Sequence, residues 1–229
     1  MITDNSIQEA PFRFDSYVWK IPLLWLVTIW LVYWIEYFFG FNFGSYGIYP
    51  RQVTGLRGIF FSPFIHGSAQ HLMNNSIPLF VLTAALIYFY RKISFQILVF
   101  GTLLSGLLTW VIARDSFHIG ASGVIYLLAS FIFFSGIFRK SLRLVAISLV
   151  VAFWYGGMIW YVLPIVEEMS WEGHLSGFLT GLALAYWYKN VGLKKQAYTF
   201  TKTEFDTYFD ENGNFNPPLE EQNEEENLK

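Results

Sequence analysis

Charge is almost absent from the middle of this chain. Residues 21–190 carry nine Lys/Arg and five Asp/Glu, whereas the 59 residues of the two ends carry the other 18 charges. A membrane-spanning helix needs about 20 predominantly apolar residues, and the charge-poor stretches supply six. They run over Ile21–Phe39, interrupted by Glu36, then over His71–Tyr90 and Ile93–Ala113. Three more lie between Asp115 and Arg139, between Arg143 and Glu167, and over Gly173–Tyr188. With 14% charged residues in all, against about 25% in soluble domains, such a core cannot cover itself with a wettable surface. The pattern predicts an all-α integral membrane protein, a compact bundle of six transmembrane helices.

Loop charge orients the bundle, because Lys and Arg collect on the cytoplasmic side. With the N-terminus inside, the inner segments hold Arg13, Lys20, Arg91, Lys92, Arg139, Lys140, Arg143, Lys189, Lys194 and Lys195. The outer loops hold Arg51, Arg57 and Arg114. Both termini are therefore expected in the cytoplasm. The chain divides into an N-terminal segment, 1–20, a six-span domain, 21–190, and an acidic tail, 191–229. The first segment has no basic start and cleavage site, so the first span is expected to remain as an anchor. The tail, with nine acidic residues after position 200 and the pair Pro217-Pro218, reads as disordered. Its Asp210–Asn214 run does not fit a calcium loop. With Gly213 sixth, Tyr208 and Leu219 take the first and twelfth places, where ligands are needed. A net charge of −2 argues against nucleic acid. The absence of cysteine removes disulfides, thiolate nucleophiles and thiolate metal sites. Residues 40–70 form a loop too long for a connector, and Phe60, Phe61, Phe64 and Ile65 within it suggest a part held against the bilayer.

Polar chemistry gathers at one depth. The second, fourth and sixth spans run inward, and His71 with Asn75 opens the second, Ser122 the fourth and His174 the sixth. That set suits acyl transfer. A serine hydroxyl is a weak nucleophile until a base such as neutral histidine takes its proton. The oxyanion that forms needs fixed donors. The N–H groups around Ser122 lie at a helix start, where they are unpaired; Asn75 and His71 can add side-chain donors, and Asn74 lies off that face. Gly177 and Gly181 follow His174 at i+3 and i+7. With Gly173 they make a stripe that lets two helices pack backbone to backbone, as a serine–histidine contact between spans requires.

Together these residues resemble the rhomboid intramembrane serine proteases over about residues 50–190. The resemblance rests on three motifs. They are His66-xxxx-His71-xxx-Asn75, Gly120-Ala121-Ser122-Gly123 and Gly173-His174-xx-Gly177-xxx-Gly181, in order on the second, fourth and sixth spans. It implies Ser122 as nucleophile and His174 as general base. It implies an oxyanion hole of His71, Asn75 and the Ser122 N–H, with Tyr126 packed on the catalytic histidine and Gly120, Gly177 and Gly181 in support. No catalytic carboxylate, cofactor or metal belongs to that pattern, and Asp115 and Glu172 are read as loop residues without a role. Substrates would be transmembrane segments of other proteins, reached within the lipid of a bacterial cytoplasmic membrane. Two features depart from the family. Leu56-Arg57 stands where many members have Trp-Arg, so no loop-anchoring role is carried onto Arg57, and His118-Ile119 replaces a glycine before the serine motif.

Taken singly, each residue has a plainer reading. Ser122, Gly177 and Gly181 are ordinary packing residues in membranes, Asn75 a packing amide and Tyr126 a core residue. His174 alone fits a proton relay as well as catalysis. A non-proteolytic relative that binds and escorts membrane proteins is the alternative function. The connector Val162–Glu172 is expected to act as a cap, and Phe153, Trp154 and Tyr155 as part of a side entrance.

Overall fold

The structure, a computed structural model, describes residues 14–154, 160–165, 169–191 and 203–216, with the backbone alone of Trp154. Among these residues seven α-helices occur: α1 Tyr17–Phe39, α2 Gly58–Phe61, α3 Ala69–Tyr90, α4 Ser94–Ile112, α5 Ser122–Phe138, α6 Leu142–Trp154 and α7 Trp171–Trp187. Short 3₁₀ turns accompany α2 on both sides, at Val53–Arg57 and Ser62–Phe64. No strand is present among the described residues; Ile48 and His118 make one isolated antiparallel bridge.

α5 is the centre of the helical bundle. Its run from Val124 to Leu128 and from Ser130 to Ile132 is buried almost without interruption, as expected of a helix that is apolar all round. α3, α4, α6 and α7 pack against it, and α1 packs on α3. Leu72, Leu79, Leu82 and Leu86 of α3, Ile97 of α4, Leu128 and Phe131 of α5 and Leu144 of α6 fill the core. The outer faces are equally apolar. Leu24, Val27, Leu31 and Trp34 stripe the exposed side of α1, and Phe100, Leu103, Leu107 and Val111 that of α4. On a water-soluble protein such stripes would drive aggregation; here they are a surface for lipid. α1, α3 and α4 are each long and apolar enough to cross a membrane, and α5 and α6 are shorter apolar helices.

Since lipid tails are as apolar as leucine, packing and interhelical hydrogen bonds must hold the bundle. Trp30 Nε1 donates to Ser76 Oγ at 3.0 Å, tying α1 to α3. Tyr90 donates to Ser135 at 2.7 Å between α3 and α5, and Ser130 to the Phe178 carbonyl at 2.8 Å between α5 and α7.

Several expectations need adjustment. α1 begins at Tyr17 rather than Ile21, and α3 at Ala69, because backbone hydrogen bonding continues past the apolar stretch into polar flanks. Glu172 is no loop residue. It lies in the first turn of α7, only 2% exposed, and its Oε1 accepts the Arg114 N–H at 3.3 Å. Asp115 is paired with Arg51. Arg57 does anchor the long loop, donating to the Ser45 carbonyl at 3.1 Å with its guanidinium over the Tyr46 ring. Residues 195–229 form a separate unit, whose described part, 203–216, carries short local structure. Thr203 and Asp206 make a capping box at Glu204–Tyr208, and Asp210 accepts the Asn212 and Asn214 N–H groups. Local side-chain capping orders this stretch, together with ring contacts among Phe205, Tyr208, Phe209 and Phe215.

Candidate active site

The four histidines lie together at the end of the bundle where α3, α5 and α7 begin. Gly120 prepares the start of α5. Its φ of 110° belongs to a region that residues with a Cβ rarely enter. A Cβ there would also lie 2.6 Å from His71 Cε1, 2.7 Å from His71 Nε2 and 3.6 Å from Asn75 Nδ2. A glycine thus keeps open a small space on which His71 and Asn75 converge. The Gly120 N–H is taken by the Ser62 carbonyl at 2.9 Å. The Ala121 N–H points to His66 Nε2 at 3.4 Å. Ser122 follows as the first residue of α5, before the first intrahelical bond, from the Ile125 N–H to the Ala121 carbonyl. Its own N–H is one of the donors a helix start leaves unpaired.

Asn75 is 5% exposed, yet its Nδ2 has no acceptor among the described residues. A buried donor left unsatisfied costs roughly 1–3 kcal/mol. Asn74, by contrast, is exposed and occupied by Gln70 at 2.8 Å. Ser68 caps α3 by accepting the His71 N–H at 3.1 Å, which fixes the first turn that carries His71.

α7 meets α5 backbone to backbone. A Cβ on Gly177 would stand 2.1 Å from the Gly123 carbonyl oxygen, and one on Gly181 2.3 Å from that of Leu127. His174, 5% exposed, stacks on the Tyr126 ring with centroids 4.3 Å apart and planes 16° from parallel. Its Nδ1 lies 2.8 Å from the Tyr161 carbonyl. A carbonyl only accepts, so Nδ1 carries the proton of the neutral ring and Nε2 keeps its lone pair. That is the arrangement of a base. Among the described residues Ser122 and His174 are not hydrogen-bonded to each other; catalytic hydrogen bonds are often long until substrate arrives.

Two cavities lie nearby, one against Ser122 and the other against Tyr126. One of about 40 Å³ is lined by Ser62, Thr102, Ser105, Thr109, His118 and Ser170 beside Ser122 and Gly123; it has room for about two or three waters. The other, about 460 Å³ and apolar, extends from Tyr126 between α5, α6 and Phe178 of α7. Phe153, assigned to a side entrance, is 86% exposed on α6; the Trp154 side chain and Tyr155 lie outside the described residues, as do 166–168 of the expected cap.

Outside the helices, burial and then the nearby His71 push the His66 pKa down to about 3, against a smaller opposing hydrogen bond with the Phe64 backbone. Sequence reasoning missed the Tyr161 carbonyl, since a main-chain acceptor carries no residue signature. It also missed His118 and Glu172, whose partners are 52 and 58 residues away.

The sequence model of the Rhomboid domain matches residues 53–190, more than half of the chain. Uncharacterised proteins of Mycobacterium bovis and Mycobacterium tuberculosis are 34% identical over 177 residues, covering 72% of this chain and 72% of each relative. One from Mycobacterium leprae is 34% identical over 178 residues, covering 72% of this chain and 68% of its own. With an all-helical bundle, a lipid-facing apolar surface and this match over its helical domain, the chain belongs to the rhomboid family of integral membrane proteins.

Proposed function

We propose that the protein is an intramembrane serine endopeptidase, a hydrolase that cuts peptide bonds in or near the transmembrane segments of other membrane proteins. The observation that carries the reading is His174, with Nδ1 occupied by the Tyr161 carbonyl and its face stacked on Tyr126, next to the helix start bearing Ser122. Rhomboid domains generally act as serine proteases in the bilayer, which supports the same assignment.

In the proposed reaction Ser122 Oγ attacks the substrate carbonyl while His174 Nε2 takes the hydroxyl proton. The tetrahedral oxyanion lies in the space that Gly120 leaves, facing Asn75 Nδ2, a His71 ring N–H and the Ser122 N–H. Each such donor is worth roughly 2.7–4 kcal/mol of barrier. His174 then gives its proton to the leaving amine, and the acyl group remains on Ser122. Water attacks that ester with His174 again as base, releasing the carboxylate product and regenerating the hydroxyl. No cofactor enters these steps. The substrate helix must unwind locally, because a helical peptide bond is shielded by its own hydrogen bonds; small or helix-breaking residues near the cut favour cleavage.

The topology that goes with this reading has α1, α3, α4, α5, α6 and α7 as six spans of a bacterial cytoplasmic membrane, both termini inside and the site near the outer face. A second reading is a non-proteolytic relative that binds membrane proteins. The missing Ser122–His174 hydrogen bond favours it; retention of both residues argues against it.

The test is cleavage of a transmembrane reporter by the purified protein in liposomes, beside Ser122→Ala and His174→Ala, with folding checked by thermal melt. Loss of cleavage in both folded variants is the expected result. Cleavage that survives in Ser122→Ala would end the serine-protease reading, and binding without cleavage by folded wild type would favour the second.

A further inference from the structure

His118 is another buried imidazole, 4% exposed, outside the proposed dyad. Its main chain exchanges two hydrogen bonds with Ile48. Ile48 N–H donates to the His118 carbonyl at 3.0 Å and His118 N–H to the Ile48 carbonyl at 2.8 Å. Its ring reaches the start of α7. Nε2 lies 3.0 Å from the Arg114 carbonyl and 3.3 Å from Ser116 Oγ, while Nδ1 lies 2.6 Å from Ser170 Oγ. Burial holds the ring below the ordinary histidine pKa, against smaller opposing effects of the Arg114 carbonyl and Glu172. In the neutral ring the carbonyl of Arg114 requires the proton on Nε2, so Nδ1 accepts and the Ser170 hydroxyl donates.

Ser170 is the residue from which α7 starts. Its carbonyl accepts the His174 N–H at 3.2 Å. Its hydroxyl occupies room that a Cβ on Gly173 would contest at 2.9 Å. The chain spacing is the same on both sides. His118 stands four residues before Ser122, and the residue it grips stands four before His174. Arg114 reinforces the junction, donating from its guanidinium to the Met169 carbonyl at 2.8 Å and from its main chain to Glu172.

We propose that His118 is a positioning residue that sets the separation of Ser122 and His174 by accepting the Ser170 hydroxyl at the start of α7. The inference rests on the Ser122–His174 reading and deepens it. His118 touches no reacting atom. It braces the segment that delivers the nucleophile against the turn that delivers the base, at the level where a shift of about 1 Å can cost on the order of a hundredfold in rate.

The experiment uses the full chain in liposomes and reads three quantities. These are the rate at which a fluorophosphonate labels Ser122, kcat and KM for the transmembrane reporter, and the thermal melt. His118→Ala and Ser170→Ala each lower labelling and kcat, by up to about a hundredfold, with KM unchanged. The double variant is no slower than the slower single, because both remove one hydrogen bond. His118→Asn, whose Oδ1 replaces Nδ1 as acceptor, restores most of the rate; His118→Gln, which reaches toward Arg114 instead, does not. Multiplicative losses in the double variant would overturn the brace. So would an Asn variant as slow as Ala at an equal melting temperature, or losses that merely follow the melt. Variants labelled at the wild-type rate would also remove the brace while leaving the dyad intact. Folded wild type that takes no label would remove the dyad and the brace together.

Discussion

His66 accepts the Ala121 N–H with Nε2, which leaves the proton of the neutral ring on Nδ1. Burial drops its pKa from 6.5 to about 3, so folding carries a pH dependence of defined sign. Above pH 6.5 the ring is neutral folded or unfolded, and its contribution is fully present. As pH falls from 6.5 toward 3 the unfolded chain binds the proton first, and stability is lost. The melting temperature should fall over that window, and His66→Gln, which keeps an acceptor without a titrating group, should flatten the slope. An unchanged slope in His66→Gln would place the dependence elsewhere, for instance on His118, which burial shifts the same way. The residue scale was the most legible in the sequence. Ser122, His174, His71, Asn75 and Tyr126 carry side-chain chemistry at fixed spacings, and the structure brings them to one end of the bundle. The supporting contacts were not legible. Glu172 read as an idle carboxylate because nothing local announces that it accepts from Arg114.

At the scale of elements, the α5–α7 seam and the long loop behave differently. The seam follows from a three-residue glycine interval, so its existence was legible, and its tightness is explained by main-chain atoms facing the missing Cβ of Gly177 and Gly181. Gly177→Ala forces the two helices apart. Overpacking of this kind costs about 1–3 kcal/mol, and the reporter should be cut on the order of a hundredfold more slowly; wild-type cleavage at a wild-type melt would contradict the seam. α2 and its flanking turns were not legible, because they depend on close approaches between distant main-chain segments. A Cβ on Gly58 would come within 2.2 Å of the Gly47 backbone, and one on Gly55 within 2.0 Å of the Tyr49 carbonyl. Gly58→Ala should therefore lower the melt and expose the 40–68 loop to protease while leaving the α-helical circular dichroism of the spans in place. A protease pattern identical to wild type would show that this loop does not depend on that contact.

For the whole molecule, the proposed six-span topology with its asymmetric set of cationic loops predicts that both termini share one compartment. Reporters that fluoresce only in the cytoplasm, fused separately at either end, should both be bright; one bright and one dark fusion would demand an odd number of crossings. The all-helical membrane architecture was legible because lipid imposes a length and a polarity on a span, whereas α2, too short to cross, left no such mark. The main-chain acceptor of His174 has a consequence at this scale too. The Tyr161 carbonyl that chooses the imidazole tautomer is supplied by no particular codon, since every amino acid brings the same oxygen. A saturation library would therefore pass over position 161 as permissive wherever the ring is dispensable, and score the proposed proton relay as having two members. Its third member would surface only when the backbone itself is edited, as when an α-hydroxy acid at position 162 turns the Tyr161 amide into an ester with a poorer carbonyl acceptor. That atom is placed by the path of the whole chain rather than by any single letter of its sequence.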